Sequence, residues 1–312
     1  MTSYLVTGGA GFIGSAIVRA LLERGKTVRV LDNFSTGYRS NLSGLERDVE
    51  VIEGDIRSLE TCAQAMAGVT YVLHQAALPS VPRSIKDPQT THEVNATGTL
   101  QVLIAARNAG VQRVVYASSS SVYGPSEKLP REESDTPAPI SPYAVSKLAG
   151  EHYCTAFSRS YGLETVALRY FNVFGPRQRG DSPYAGVIPR FVRSFQVGER
   201  PTIFGDGHQT RDFTYVGNVV QANLLALESP SAVGNVYNVG AGSRLSINDL
   251  AEAVAGVMKT DLLPVHAEPR AGDVRCSQAD VSRAIRDLGY RPDTGIGDGL
   301  PIAVQWLLAN SG

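Results

Sequence analysis

The sequence predicts an α/β protein, a doubly wound parallel sheet followed by a smaller carboxyl-terminal lobe. Three observations carry this. Short apolar runs alternate with helix-period segments, a glycine-rich loop sits between the first strand and the first helix, and the alternation breaks after about residue 170. Tyr4–Thr7 is the first strand. Phe12 to Arg24 follows, with Ile13, Ile17, Val18, Leu21 and Leu22 at helical spacing, and Gly25 ends it. Strands are expected at Thr27–Leu31, Val49–Ile52, Tyr71–His74, Arg113–Tyr116 and Thr165–Leu168, with helices from about Glu93 to Asn108 and from about Pro142 to Ser160. Residues 175 to 211 are rich in Gly, Pro, Arg and Asp, and Val216–Leu227 and Ile247–Met258 read as later helices. The expected division is 1–172 for the first domain, with a return near 214–240, and 173–213 plus 241–312 for the second lobe. Ligands of such sheets bind at the carboxyl ends of the strands.

Composition narrows the function. Hydrophobic residues make up 43% and charged residues 19% of 312 residues, and the formal net charge is -1. That is ordinary for a globular chain, and no basic field suggests nucleic acid or a membrane surface. An anionic ligand would need locally placed arginines. The start Met1-Thr2-Ser3 has no basic segment before an apolar stretch, and no run of about 18 apolar residues occurs. Cys62, Cys154 and Cys276 are few and far apart, so neither a disulfide framework nor a zinc site is expected, and a reducing cytoplasm is. No metal is expected.

Thr7-Gly8-Gly9-Ala10-Gly11-Phe12-Ile13-Gly14 places Gly8, Gly11 and Gly14 three residues apart between strand and helix. The first allows a tight turn, the second lets backbone approach a pyrophosphate, and the third lets helix and strand pack closely. This is the Rossmann-type dinucleotide signature in its required context. Asp32 ends the second strand, 18 residues after Gly14. A carboxylate there accepts from both ribose hydroxyls and repels a 2'-phosphate, which favours NAD over NADP. Asp55, after the third strand, fits either an adenine contact or a turn. Ser118-Ser119-Ser120-Ser121 follows a strand, and Tyr143 and Lys147 stand i and i+4 on one helix face. An ammonium beside a phenol lowers its pKa from about 10 and suits it to be a general base.

The ordered segments TGGAGFIGS, LDNFSTG, SSSSVYG, SPYAVSK, LRYFNVFGPRQ, TIFGDGHQTRDF, YNVGAGS and PRAGDV span nearly the whole chain. The chain resembles the extended short-chain dehydrogenase/reductases, and among them the UDP-glucose and UDP-N-acetylglucosamine 4-epimerases. The resemblance implies a cofactor site of Gly8, Gly11, Phe12, Ile13, Gly14, Asp32, Asn33, Asp55, Ile56, Ala76, Ala77, Ser118, Tyr143 and Lys147, holding NAD. It implies Ser119 as the residue bonding the sugar hydroxyl, Tyr143 as the base and Lys147 as its tuner. It places the UDP-sugar against Ser119, Ser120, Tyr143, Asn172, Val187, Ile188, Phe204, Arg211, Arg270, Asp273 and Ser277. Arg211 and Arg270 would clamp the diphosphate. The family often has Asn-Ala-Ala where this chain has Gln75-Ala76-Ala77. A homodimer is implied, through a four-helix bundle of the helices near 93–108 and 142–160.

The implied reaction is inversion at carbon 4 through a transient 4-keto sugar. Tyr143 removes the 4-hydroxyl proton while NAD takes hydride from carbon 4. The keto sugar then turns over in the pocket, and hydride returns to its other face. Related dehydratases carry an Asp-Glu pair just after the position of Ser119, and related decarboxylases a glutamate two positions after it. Here those positions are Ser120 and Ser121, which cannot serve as carboxylic acids. Small Ser277 would admit an N-acetyl group. The alternatives are a UDP-glucuronate 4-epimerase, with Arg83 meeting the carboxylate, and a non-catalytic NAD-binding regulator.

Overall fold

The computed structural model describes residues 3–178, 180, 185–269 and 274–310. Six strands come first: β1 (Ser3–Thr7), β2 (Thr27–Asp32), β3 (Val49–Glu53), β4 (Tyr71–His74), β5 (Arg113–Ser119) and β6 (Glu164–Tyr170). Four short ones follow, β7 (Val173–Phe174), β8 (Thr202–Phe204), β9 (Thr210–Arg211) and β10 (Thr214–Tyr215), then β11 (Val236–Val239). The central sheet has the order β11-β6-β5-β4-β1-β2-β3, and every pair in it is parallel. Its topological switch point lies between β1 and β4.

The strands read as unbroken apolar runs because both faces are covered. Along β1, Val6 joins one core and Leu5 the other; along β5, Val115 and Ala117 oppose Val114 and Tyr116. One face is covered by α1 (Phe12–Glu23), the other by α2 (Leu59–Met66) and by the helical run α3 (Val81–Lys86), α4 (Pro88–His92), α5 (Gly98–Asn108) and α6 (Pro142–Tyr161). After α7 (Val187–Gln196), α8 (Val216–Glu228) returns to the α1 face, where Val219 and Leu224 meet Ile17 and Leu21. The second lobe has its own core. Phe191 and Phe195 of α7 pack with Leu250 and Val254 of α9 (Ile247–Met258). The pairs β9 with β12 (Leu245–Ser246) and β8 with β13 (Val265–Ala267) brace it. The chain ends on α10 (Ser282–Leu288) and α11 (Ile296–Ala309), whose Leu300, Val304 and Leu307 close that core.

Two features differ from the expectation. The helix placed at 93–108 begins earlier, at Pro88, because Asp87 accepts from the Thr90 amide at 3.1 Å and proline suits the first helical position. Between α4 and α5 it widens into one π turn at Glu93–Thr97. The stretch 241–312 is also not one lobe. Ala284, Leu288 and Tyr290 pack into the sheet's own core beside Tyr237 and Val239, while α9 and α11 build the separate one. Among the described residues, no helix is long and apolar enough to cross a membrane.

Candidate active site

A cleft of about 730 Å³ opens over the carboxyl ends of β1, β4 and β5. Its floor is the glycine loop. Gly8 has φ +68, and a Cβ there would stand 2.7 Å from the Ala76 nitrogen. A Cβ at Gly14 would stand 2.1 Å from the Gly8 carbonyl oxygen, so α1 can approach β1 only without one. A Cβ on Gly11 would meet little, nothing closer than the Gly8 oxygen at 3.1 Å, so its bare backbone faces the cleft. Gly11 caps α1 without a side-chain bond. The start of α1 therefore opens onto the cleft with uncapped amides, an arrangement that fits a diphosphate. These residues fit a dinucleotide.

Asp32 is buried at the end of β2 and lines the cleft. Its carboxylate accepts from the Ala10 amide at 2.9 Å and the Phe34 amide at 2.8 Å. Burial holds its pKa above the usual carboxylate range, and those two amides oppose the shift. Each oxygen keeps a free lone-pair direction for a ribose hydroxyl. Asp55 lines the cleft but is already engaged. It accepts from the Arg57 amide at 2.9 Å, from the Arg57 guanidinium at 2.8 Å and from Asn33 Nδ2 at 3.0 Å. Its hydrogen bonds to Arg57 hold its pKa low despite partial burial. It serves as a turn residue here, whatever else it meets.

Ser119 ends β5, and Tyr143 opens α6. Both side chains line the same cleft wall. Ser119 Oγ accepts from the Ser121 amide at 3.2 Å and from the Ser121 hydroxyl at 3.0 Å. Ser118 lines the same wall but donates its hydroxyl to Glu151 at 2.5 Å. Lys147, one turn after Tyr143, is buried and donates to the Ala117 carbonyl at 2.8 Å. Burial brings it down to about 7, against the pull of Glu151. The expected lowering of the Tyr143 pKa is not seen. Burial holds that phenol above its ordinary value, with Lys147 bonded to backbone and only the nearby Ser119 hydroxyl pulling the other way.

The remaining cofactor positions, Phe12, Ile13, Asn33, Ile56, Ala76 and Ala77, all line the cleft, as do Ser120 and Asn172. Asn172 donates to the Asp212 carbonyl at 3.3 Å. The lining does not extend to Val187, Ile188, Phe204, Arg211 or Ser277. Gly186, the residue before α7, does line it. Ile188 is buried in the second lobe. Arg211 donates to the Thr210 carbonyl at 2.9 Å, and the Ser277 amide bonds the Thr210 carbonyl at 3.1 Å. Arg270 and Asp273 lie outside the described residues.

Sequence reasoning missed three groups. Asn95, in the π turn, accepts from the Leu78 amide at 2.8 Å and donates to Ser146 Oγ at 3.1 Å. It thereby ties the Ala76–Leu78 wall to α6 one residue before Lys147. Gln75, Tyr170 and Asn223 form a second knot. Tyr170 bonds Gln75 Oε1 at 3.1 Å and Asn223 Nδ2 at 2.8 Å. The third is Arg177, which also lines the cleft. A π turn inside a helix and contacts 50 to 150 residues apart leave no periodic signal; only the unusual Gln75 hinted at one of them.

A glycine loop at the switch point of a parallel sheet, with a serine-tyrosine pair and a buried lysine at the next strand end, defines a Rossmann-fold enzyme built around a dinucleotide. Residues 4–240 match the model of the NAD dependent epimerase/dehydratase family. The UDP-glucose 4-epimerase of Mycolicibacterium smegmatis is 39% identical over 306 residues, 97% of each chain. The structure of Thermotoga maritima UDP-glucose 4-epimerase with UDP-glucose superposes at a TM-score of 0.95, with 37% identity over all of both chains. A UDP-N-acetylglucosamine 4-epimerase from Methanobrevibacter ruminantium M1, in complex with UDP-N-acetylmuramic acid, gives 0.94 and 39%, covering 99% of this chain and 98% of that one. The chain belongs to the NAD dependent epimerase/dehydratase family, within the extended short-chain dehydrogenase/reductases. It is an NAD-dependent 4-epimerase, an isomerase.

Proposed function

We propose that the chain inverts carbon 4 of a UDP-hexose, interconverting UDP-glucose with UDP-galactose and UDP-N-acetylglucosamine with UDP-N-acetylgalactosamine. Relatives named UDP-glucose and UDP-glucuronate 4-epimerases, 36–39% identical over nearly the whole chain, support this reading. The observation that carries the reading is that Ser119, Tyr143 and Lys147 line one cleft together with the glycine loop. A sugar hydroxyl seated against Tyr143 and Ser119 meets an acceptor for its proton and a donor that orients it. NAD held in this cleft would supply a reversible hydride acceptor for carbon 4 and a nicotinamide charge that would favour the Tyr143 phenolate. Lys147 adds positive charge behind the phenol when protonated. Ser120 and Ser121 hold no proton that either could release as an acid at neutral pH, so elimination and decarboxylation lack their usual group.

The substrate residues Asn172, Arg211, Arg270 and Asp273, with Val187, Ile188 and Phe204 at the base, remain part of this proposal. So does a homodimer through the α4–α5 and α6 faces. One observation favours a second reading. Arg83 of α3 lines the cleft, which gives a 6-carboxylate a cation and would suit UDP-glucuronate. The test is turnover of UDP-glucose, UDP-N-acetylglucosamine and UDP-glucuronate separately, with the epimers resolved by chromatography. Turnover of UDP-glucuronate alone would replace the hexose reading, and turnover of none would end both.

A further inference from the structure

Gly175-Pro176-Arg177-Gln178 follows β7 as a tight turn, closed by the Gln178 amide donating to the Gly175 carbonyl at 3.3 Å. Proline at the second position and a positive φ at the third are the type II pattern, and that third position suits glycine or asparagine. Here it holds Arg177, with φ +72. A long side chain in the left-handed region costs free energy that glycine would not. The backbone therefore gives no reason for an arginine; the reason lies with its side chain.

That side chain lines the cleft, and its Nε is buried with no hydrogen-bond partner. Arg19 and Glu23 of α1 both act on its charge, in opposite senses, and the Arg19 Nε is likewise buried and unpartnered. Arg19 is anchored by donating to the Asn41 and Ser43 carbonyls at 3.0 and 3.1 Å. Asn41 lines the cleft together with Phe12 and Ile13 of the first turn of α1. Two guanidiniums with unsatisfied donors, one of them lining the cleft, form an arrangement that an anion would complete.

We propose that Arg177 is a ligand of the cofactor's diphosphate. The inference rests on the NAD assignment of the cleft. Asn41, which lines the cleft and anchors Arg19, donates to the Ala10 carbonyl of the glycine loop at 2.8 Å, and this selects the cofactor's diphosphate over that of a UDP-sugar.

The test uses the full chain stripped of nucleotide, with Arg177→Gly and Arg177→Gln. NADH binding is read by fluorescence, UDP binding by calorimetry and apo stability by thermal melting. Both variants should weaken NADH about tenfold or more, the loss of one charged hydrogen bond. UDP affinity should stay unchanged, and apo Arg177→Gly should melt at or above the wild-type temperature, since strain and like-charge repulsion are relieved. Unchanged NADH affinity overturns the proposal. So does a loss confined to UDP, which would hand Arg177 to the other diphosphate. Lower melting temperatures in both apo variants would mark Arg177 as a packing residue and overturn it too. A wild-type chain that binds no NADH would sink the cofactor assignment itself, which is a separate and recognisable result.

Discussion

Tyr143 and Lys147 were legible from their spacing, but their electrostatics were not. Sequence gives the one-turn separation, whereas the lysine's bond to the Ala117 carbonyl depends on where β5 ends against α6. Tyr143→Phe keeps the ring and removes only the hydroxyl. It should cut turnover by about 10²–10⁴-fold while leaving NADH affinity intact; activity within about threefold of wild type would remove Tyr143 from the role. His74 makes a different prediction. The Ala76 amide donates to Thr7 Oγ1, which bonds His74 Nδ1 at 2.7 Å. His74 Nε2 meets Thr99 Oγ1 at 3.0 Å, and Thr99 donates to the Asn95 carbonyl at 2.6 Å. Because Thr99 spends its proton on Asn95, the imidazole must donate from Nε2 and accept at Nδ1, the neutral form. Burial first, and then Lys147, lowers its pKa to about 3. The unfolded chain takes up that proton near 6.5, so the contribution is complete above 6.5 and is lost as pH falls toward 3. Urea melts from pH 7.5 down to 4.5 should show stability falling less steeply in His74→Gln than in wild type; parallel slopes would mean His74 charges freely. Ser277 is the weakest of the residue-level expectations, since it does not line the cleft. If it gates substrate size, Ser277→Tyr abolishes turnover of UDP-N-acetylglucosamine and spares UDP-glucose; equal loss of both would discard the gate.

At the scale of elements, the chain announced itself wherever one segment satisfies its own pattern. α1, β2 and β4 fall within a residue of their expected places, because glycine stops and apolar runs are local signals. α2 is only eight residues long, and α7, although Ile188, Phe191, Val192 and Phe195 stand at helical spacing, is set in a stretch dense with Gly, Pro and Arg that hid it. The π turn was invisible because its benefit is tertiary: it aims Asn95 at both Leu78 and Ser146. The glycine loop is the opposite case, where spacing alone gave the geometry. A methyl group on Gly14 would sit 2.1 Å from the Gly8 oxygen, backbone that cannot rotate aside. Gly14→Ala should therefore push α1 off β1, at a cost of about 1–3 kcal/mol. The same shift moves the helix N-terminus away from the diphosphate, so NADH affinity should fall with stability. A variant with wild-type melting and wild-type NADH binding would mean that the loop adapts and that the third glycine is dispensable.

Across the whole molecule, the parallel order and the switch-point cleft followed from alternation of elements, but the partition of the last 70 residues did not. α10 lies on the sheet and α11 on the second lobe, and only packing between distant segments decides that. Assembly is the remaining question at this scale. α6 buries one side, where Lys147, Glu151 and Cys154 sit, and exposes another. On that outer side Val145 is 52% and Tyr153 37% accessible. The two are eight residues apart and share a face. α5 packs beside α6, with Ile104 and Leu100 only partly covered by their own chain. Two copies related by a twofold axis could lay these surfaces together as four helices, burying apolar area at about 25 cal/mol per Å². The expected result is a dimer in sedimentation velocity at micromolar concentration. Tyr153→Arg would place a charge at the centre of that seam and shift the chain toward monomer. Because Tyr153 lies more than two turns from Tyr143 and on the face away from Lys147, the monomeric variant should still bind NADH. A wild type that sediments as a monomer, or a Tyr153→Arg chain that stays dimeric, would place the twofold interface elsewhere or nowhere.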